Sequence, residues 1–280
     1  MRRLIILITL SLFAFQSLAG GGWPQPKKKG YLKLNQWMVV ADQYYTPAGD
    51  IISIRTTGVY TTSIYAEYGF TDRLTGIIYF PFFSRSTLNE QERPDGSLIE
   101  KGDELNSVGD TDLTLKYALV KDRPIVLSAS LTLGLPFGNE SGGRTELLQT
   151  GDGEFNQMLT FEASHSFYPV NLYASTLVGF NNRTNGFSDE FRYGAEVGYT
   201  LGKFTGIFRL YGIKPLGNGD GEINTTNGIF SNNVEYLAYS PELIYSFTKK
   251  AGISLSMGKV FYGKQILANP SYSAGVFLKF

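Results

Sequence analysis

Pro124-Ile-Val-Leu-Ser-Ala-Ser-Leu-Thr-Leu-Gly-Leu-Pro136 is the stretch that decides the fold class. Side chains along a β-strand point alternately to opposite sides. Ile125, Leu127, Ala129, Leu131, Leu133 and Leu135 therefore share one side, and Ser128, Ser130, Thr132 and Gly134 share the other. The segment is a strand with one apolar face and one face of small, mostly polar groups. Gly109–Leu119 repeats the pattern, with Leu113, Leu115, Tyr117 and Leu119 opposite Asp110, Asp112, Thr114 and Lys116. Ala251–Phe261 does so again, with Ile253, Leu255 and Met257 opposite Ser254, Ser256 and Gly258.

Working outward from these three, the same alternation predicts about twelve strands. They fall near 30–42, 56–69, 72–83, 109–119, 124–136, 155–167, 170–180, 190–200, 204–214, 235–247, 251–262 and 271–280. Most exceed the roughly five or six residues usual in globular sheets and match the ~9–11 residues of a tilted membrane-crossing strand. Every second connection is tiny: Phe70-Thr71-Asp72, Lys121-Asp122-Arg123, Tyr168-Pro169, Leu201-Gly202-Lys203 and Thr248-Lys249-Lys250. The others are longer and polar, above all Ser84–Val108, Phe137–Glu154 and Pro215–Val234. Short turns at one end and long loops at the other define an up-and-down outer-membrane barrel, and a Greek-key sandwich has no reason to keep that alternation. The expectation is an all-β chain: a closed antiparallel up-and-down transmembrane β-barrel over 30–280.

The composition agrees. Aromatic residues make up 14% of the chain and Gly counts 32, as expected of a wall with aromatic girdles and a polar interior. The formal net charge is zero, and no basic stripe suggests a nucleic-acid partner. Cysteine is absent, which excludes disulfides, thiolate chemistry and a lipid-anchoring N-terminal cysteine.

Residues 1–19 read as a cleaved signal peptide. Arg2 and Arg3 form the positive region, Leu4–Phe15 the apolar one, and Ser17-Leu18-Ala19 the small cleavage site. Gly20–Lys29 would then be a short periplasmic N-terminal tether, too brief for a folded plug. Any gate would come from the outer loops or the lumen side chains. At the other end Tyr272, Ala274, Val276, Leu278 and the final Phe280 share one face. This resembles the C-terminal strand signal read by the bacterial barrel-assembly machinery. The implied location is the outer membrane of a Gram-negative bacterium, with outer-membrane lipid and the assembly machinery as partners.

With the apolar faces turned to lipid, the lumen charges include Lys33, Arg73, Asp110, Asp112, Lys116, Glu162, Arg192, Glu196, Arg209 and Glu242. Both signs occur together, unlike a single-sign selectivity ring. They can form a structural network, with bulky pairs such as Arg192 and Glu196 closing the pore, or a polar conduit with a ligand site near Asp110 and Asp112. An enzyme is the contrasting class. A hydrolase needs a nucleophile with a general base, and the one histidine, His165, falls on the apolar face beside the Tyr168-Pro169 turn, away from the acidic groups. The sequence therefore points away from catalysis, and to no cofactor. Gly151-Asp152-Gly153-Glu154 and Gly219-Asp220-Gly221-Glu222 look like fragments of calcium loops, but lack the ligand spacing of an EF-hand. Gly and Asp are also ordinary turn residues, as are the Asn-Gly pairs at 185–186 and 227–228.

Three short motifs stand in a recognisable order: Gly109-Asp110-Thr111-Asp112-Leu113 with Lys116-Tyr117, then Leu135-Pro136-Phe137-Gly138, then Thr150-Gly151-Asp152-Gly153. Over roughly residues 107–200 this resembles the "MetA-pathway of phenol degradation" family of outer-membrane transporters. The resemblance implies a barrel passing small hydrophobic or aromatic molecules, and carries over no catalytic or binding residues. Two functions stay open: a passive channel for a small-molecule solute, and a non-conducting barrel that acts through its long outer loops.

Overall fold

The computed structural model describes residues 21–220 and 230–280. The signal-peptide expectation over 1–19, the end of the Gly219–Glu222 motif and the Asn227-Gly228 pair lie outside the described residues. Twelve long strands form the wall: β1 (Gly30–Tyr45), β2 (Ile51–Gly69), β3 (Leu74–Leu88), β4 (Thr111–Val120), β5 (Ile125–Leu135), β6 (Asn156–Ser166), β7 (Leu172–Arg183), β8 (Glu190–Leu201), β9 (Phe204–Pro215), β10 (Glu235–Ser246), β11 (Ala251–Lys264) and β12 (Ser271–Lys279). Each pairs antiparallel with its sequence neighbours, and β1 pairs with both β2 and β12. The sheet is closed and has no free edge, the condition for a wall surrounded by hydrocarbon.

The alternation of side chains sorts inside from outside as the sequence predicts. Leu131 and Leu255 on the outward face are 48% and 56% exposed, while inward Ser128 and Ser254 are 1% and 2% exposed. The rims of the outward face carry aromatic groups: Phe70, Phe167, Tyr199, Phe204 and Phe247 towards the short turns, Phe137, Phe180, Phe191 and Phe261 towards the long loops. These girdles bracket an apolar band.

Two outer segments expected to be loop extend the sheet instead. β3 runs on to Leu88, and Asp103–Ser107 pairs with its last five residues, Ser84 to Leu88. At the tip of that projection Gln91–Glu92 pairs with Leu98–Glu100. The Asn185-Gly186 signal holds: both residues have positive φ (52° and 78°), and Phe187 N–H donates to Thr184 O at 3.0 Å. Mirror-image turns of this kind need φ above zero at both central positions.

Closure depends on the β1–β12 seam. Tyr31 pairs with Lys279, Leu34 with Val276 and Met38 with Tyr272. Below them Gly30 and Phe280 exchange backbone hydrogen bonds of 3.0 Å in both directions. The Phe280 ring lies over Gly30, where a Cβ would meet it and stand 2.7 Å from Glu67 O. Gly30→Leu should therefore loosen the seam and lower the temperature at which the compact, fast-migrating band is lost in semi-native electrophoresis. Gly206→Ala, whose Cβ would enter open space, should leave that temperature unchanged; equal loss in both variants would contradict the assignment.

Candidate functional site

The inner wall carries two charged groups, one near each end. Towards the short turns, Lys116 on β4 meets Glu162 on β6 at 2.9 Å. Across the lumen Arg209 on β9 bridges Glu196 on β8 and Glu242 on β10, the second at 2.6 Å, and Lys33 on β1 reaches Glu242 at 3.1 Å. Tyr173 O–H donates to Glu196 at 2.6 Å. Register explains these partners, since Glu196 is cross-strand from Arg209 and cross-strand neighbours are only about 5 Å apart.

Two sequence expectations are corrected here. Arg192 does not pair with Glu196: four residues along a strand span about 13 Å, and Arg192 turns to Glu190 at 2.6 Å. Arg73 is not a lumen group. It precedes the first residue of β3 and donates to Ala118 O at 2.9 Å from the turn below the wall. His165 lies where expected, on the outward face near the short turns, with Nδ1 2.6 Å from Pro124 O and its ring edge-on to Phe167.

The larger correction concerns the N-terminal tether. Residues 21–26 run inside the barrel. Gly22 N–H donates to Ser164 Oγ at 2.8 Å, Ser128 Oγ donates to Gly22 O, and Lys116 Nζ donates to Gly21 O at 2.5 Å. Trp23 packs edge-on against Tyr173, centroids 5.6 Å apart. Gln25 is held by Thr75 Oγ1 (2.8 Å) and Glu67 (2.7 Å), and Lys28 N–H returns to Gly69 O at the rim. The inward face of small hydroxyls, Ser128, Ser164, Ser175 and Thr75, leaves room for this strand of backbone and supplies its hydrogen bonds. A ten-residue tether makes no folded plug, yet it occupies the lumen as extended chain. The glycine pair followed by Trp23 is the signal available in the sequence, since glycines allow close approach of backbone to a wall.

At the outer end one side chain that the sequence did not single out organises the rest. Arg183, at the end of β7, contacts Asp152 (3.1 Å), Glu154 and Glu190 (2.9 Å), with its guanidinium 4.4 Å from the Phe187 ring centroid. Its side chain is 5% exposed. Three carboxylates around one buried guanidinium satisfy its fork of donors, the arrangement a buried cation requires. The Gly151–Glu154 segment thus serves an arginine; among the described residues no group of three or more potential metal ligands occurs.

Asp110 lies just before β4 rather than on the lumen wall, and the three motifs of residues 109–153 converge on it. Its carboxylate accepts N–H donors from Gly138 and Asp152, each at 2.9 Å, so it fastens both ends of the loop 136–155. Gly138 lies so near Gly151 that a Cβ would stand 2.7 Å from the Gly151 backbone, and a Cβ on Gly151 would strike Asp110. That loop folds inward: Leu148 and Thr150 are buried, and Ser86 Oγ donates to Gln149 O. Asp112, one position into the wall, faces the lumen as expected and is exposed there.

Burial pushes the Asp110 carboxyl up to about 7, and the neighbouring Asp152 carboxylate adds to the rise against the two N–H donors. A carboxyl raised on folding is uncharged below that value. The two N–H bonds favour its charged form, but burial and Asp152 outweigh them. The native state therefore binds the extra proton, and the folded loop is more stable on the acid side. That stability is lost as the pH rises through about 7 and like charges face each other. Protection of the 138–152 amides against hydrogen exchange should fall across that range, after correction for intrinsic rates. In Asp110→Asn the step should vanish; an unchanged step would place the titration elsewhere.

The chain matches no protein-family model, and no curated protein matches it. Solved structures do. One is the COG4313 outer membrane channel from Pseudomonas putida F1, at TM-score 0.61 and 16% identity, covering 95% of this chain and 100% of that one. The NanC porin aligns at TM-score 0.54 and 10% identity over 89% of this chain and 100% of its own. The β domain of the Bordetella autotransporter BrkA aligns at TM-score 0.50 and 12% identity, over 91% and 100%. These likenesses are likenesses of fold.

Proposed function

We propose that this chain is a passive channel of the Gram-negative outer membrane for small solutes, hydrophobic or aromatic ones included. Two of the neighbours in fold bear the names of an outer membrane channel and a porin. The observation that carries the reading is the inner wall itself. Ion-paired groups alternate there with apolar patches, one of Trp37, Val39 and Val59, another of Tyr31, Ile207, Ile244 and Phe277. Such a lining can solvate a polar molecule and also bind an apolar ring. A twelve-strand barrel lies between eight-strand barrels filled by side chains and sixteen-strand porins with open channels. The conduit groups are Lys116, Glu162, Arg192, Glu196, Arg209, Glu242 and Asp112, with Asp110 controlling the loop above them. The order of the motifs that meet at Asp110 supports membership in the MetA-pathway of phenol degradation family.

Export by the signal sequence 1–19 and insertion through Tyr272, Val276, Leu278 and Phe280 by the barrel-assembly machinery complete the proposal. The outward row at Tyr272, Val276, Leu278 and Phe280, each about half exposed, is what supports it.

Lumen occupancy also favours a second reading, a non-conducting barrel acting through its outer loops. Single-channel recording in planar bilayers separates the two. The channel reading predicts a small conductance with little preference between cations and anions, because the lumen charges Asp112, Glu162, Glu196 and Glu242 are matched by Lys33, Lys116, Arg192 and Arg209. Deleting residues 21–26 should raise it, since it removes the chain hydrogen-bonded across the lumen. No conductance in either protein, and no solute-uptake defect in a deletion strain, would sink the channel. Loss of surface binding on trimming 84–108 and 215–234, with permeability unchanged, would establish the alternative.

A further inference from the structure

The outward wall departs from its apolar pattern at the outer end of β8 to β11. Register sets Glu235 opposite Lys264, and Lys214 lies on the other side of Glu235. Lys214 Nζ donates to Glu235 Oε1 at 2.8 Å, and Lys264 Nζ stands 3.4 Å from Oε2. One row lower the Tyr193 ring lies across Gly212, where a Cβ would strike it. Its hydroxyl thereby reaches over β9 and β10 to that of Tyr262 on β11. Lower again Lys259 is cross-strand from Tyr239 and exposed on the same face. Among the described residues no carboxylate pairs with Lys259.

Three amines thus face one carboxylate on a surface that otherwise carries Phe191, Phe208 and Phe261. A lysine directed at hydrocarbon is costly, and its stem carries the amine towards the headgroup level, where it needs an anion. The flanking aromatics mark that level, because interfacial girdles sit at the headgroups. Below the patch the outward face of β9 to β11 is apolar, with Phe208, Leu243 and Leu255 exposed, and acyl chains would run along it.

We propose that this patch binds a phosphate-bearing glycolipid of the outer leaflet. Lys259, Lys264 and Lys214 meet the phosphate oxygens, and whichever hydroxyl of the Tyr193–Tyr262 pair accepts within the pair donates its own proton to them. A phosphate monoester suits the excess of two positive charges better than a zwitterionic headgroup, whose own amine competes with the lysines. The proposal rests on the outer-membrane reading and names the lipid that this face takes there.

The test uses full-length mature protein, refolded in detergent and in vesicles, titrated with diphosphorylated lipid A, its dephosphorylated form, phosphatidylglycerol and inorganic phosphate. Lipid A should bind most tightly and the dephosphorylated form at least about tenfold more weakly. The Lys259→Gln/Lys264→Gln double variant should lose roughly 10- to 30-fold in lipid A affinity. Lys203→Gln, at the opposite end of the wall, should lose nothing, and free phosphate should not compete. Equal binding of the dephosphorylated lipid or of phosphatidylglycerol, competition by free phosphate, or an unaffected double variant would overturn the proposal. Failure of the wild-type protein to insert into vesicles at all would instead count against the outer-membrane reading, and compact-band electrophoresis of each variant shows that it folds.

Discussion

A backbone amide that faces hydrocarbon has no water to bond, so every N–H and C=O of the wall must find its partner within the wall. The rest of this molecule depends on that constraint. Strands alone would leave two edges; β1 removes both by pairing with β12 as well as β2. The chain therefore brings its last residue back to its first strand, and Phe280 covers Gly30. Once the cylinder is closed, the alternation of side chains becomes a division between lipid and lumen. A one-residue slip anywhere would exchange Leu131 for Ser130 and turn the wall inside out. Register is therefore held by the membrane itself.

The lumen inherits the polar half of each strand, and most of its charges are paired. The groups of β4, β6, β8, β9, β10 and β1 combine into ion pairs because closure sets them at cross-strand distance or opposite one another. Their hydroxyl neighbours would still leave donors and acceptors to satisfy. The N-terminal chain supplies part of the answer: Gly21 and Gly22 take up Lys116, Ser128 and Ser164. At the other end Arg183 and Asp110 do similar work for loop 136–155. One end of the lumen is thus occupied by residues 21–26, the other is narrowed by a loop folded in from the rim, and polar and apolar patches line the space between.

Much of the wall is legible in the sequence because its signal is local. The period-2 pattern around Pro124–Pro136 needs no partner to be recognised, and turns such as Lys121-Asp122-Arg123 announce themselves by length and composition. The outward row from Tyr272 to Phe280 is visible on the same ground. What cannot be read there depends on closure. Sequence spacing offers Arg192 a carboxylate on either side of it on the same face, and the structure pairs it with Glu190, two residues away, rather than Glu196, four away. Parity counted one residue before the ladder starts sends Arg73 to the lumen, although it belongs to the turn. Arg183 carries no mark of its own, since Asp152, Glu154 and Glu190 approach it from two other segments. The residues before β1 read as a tether because nothing within ten residues reveals a row of serines on strands a hundred positions away.

The central claim is that the lumen of this barrel holds the chain's own N-terminal residues against its inner wall. The chain contains no cysteine, so a single engineered pair can test it directly. Gln25→Cys together with Thr75→Cys should form an intramolecular disulfide under mild oxidation in intact outer membranes, because the Gln25 backbone already bonds the Thr75 side chain. Reduction should then raise the conductance of the crosslinked protein once it is reconstituted. The contrary result is a thiol introduced at position 25 that stays uncrosslinked and is labelled rapidly by a bulky, membrane-impermeant reagent added to the periplasmic side, and it would contradict the account.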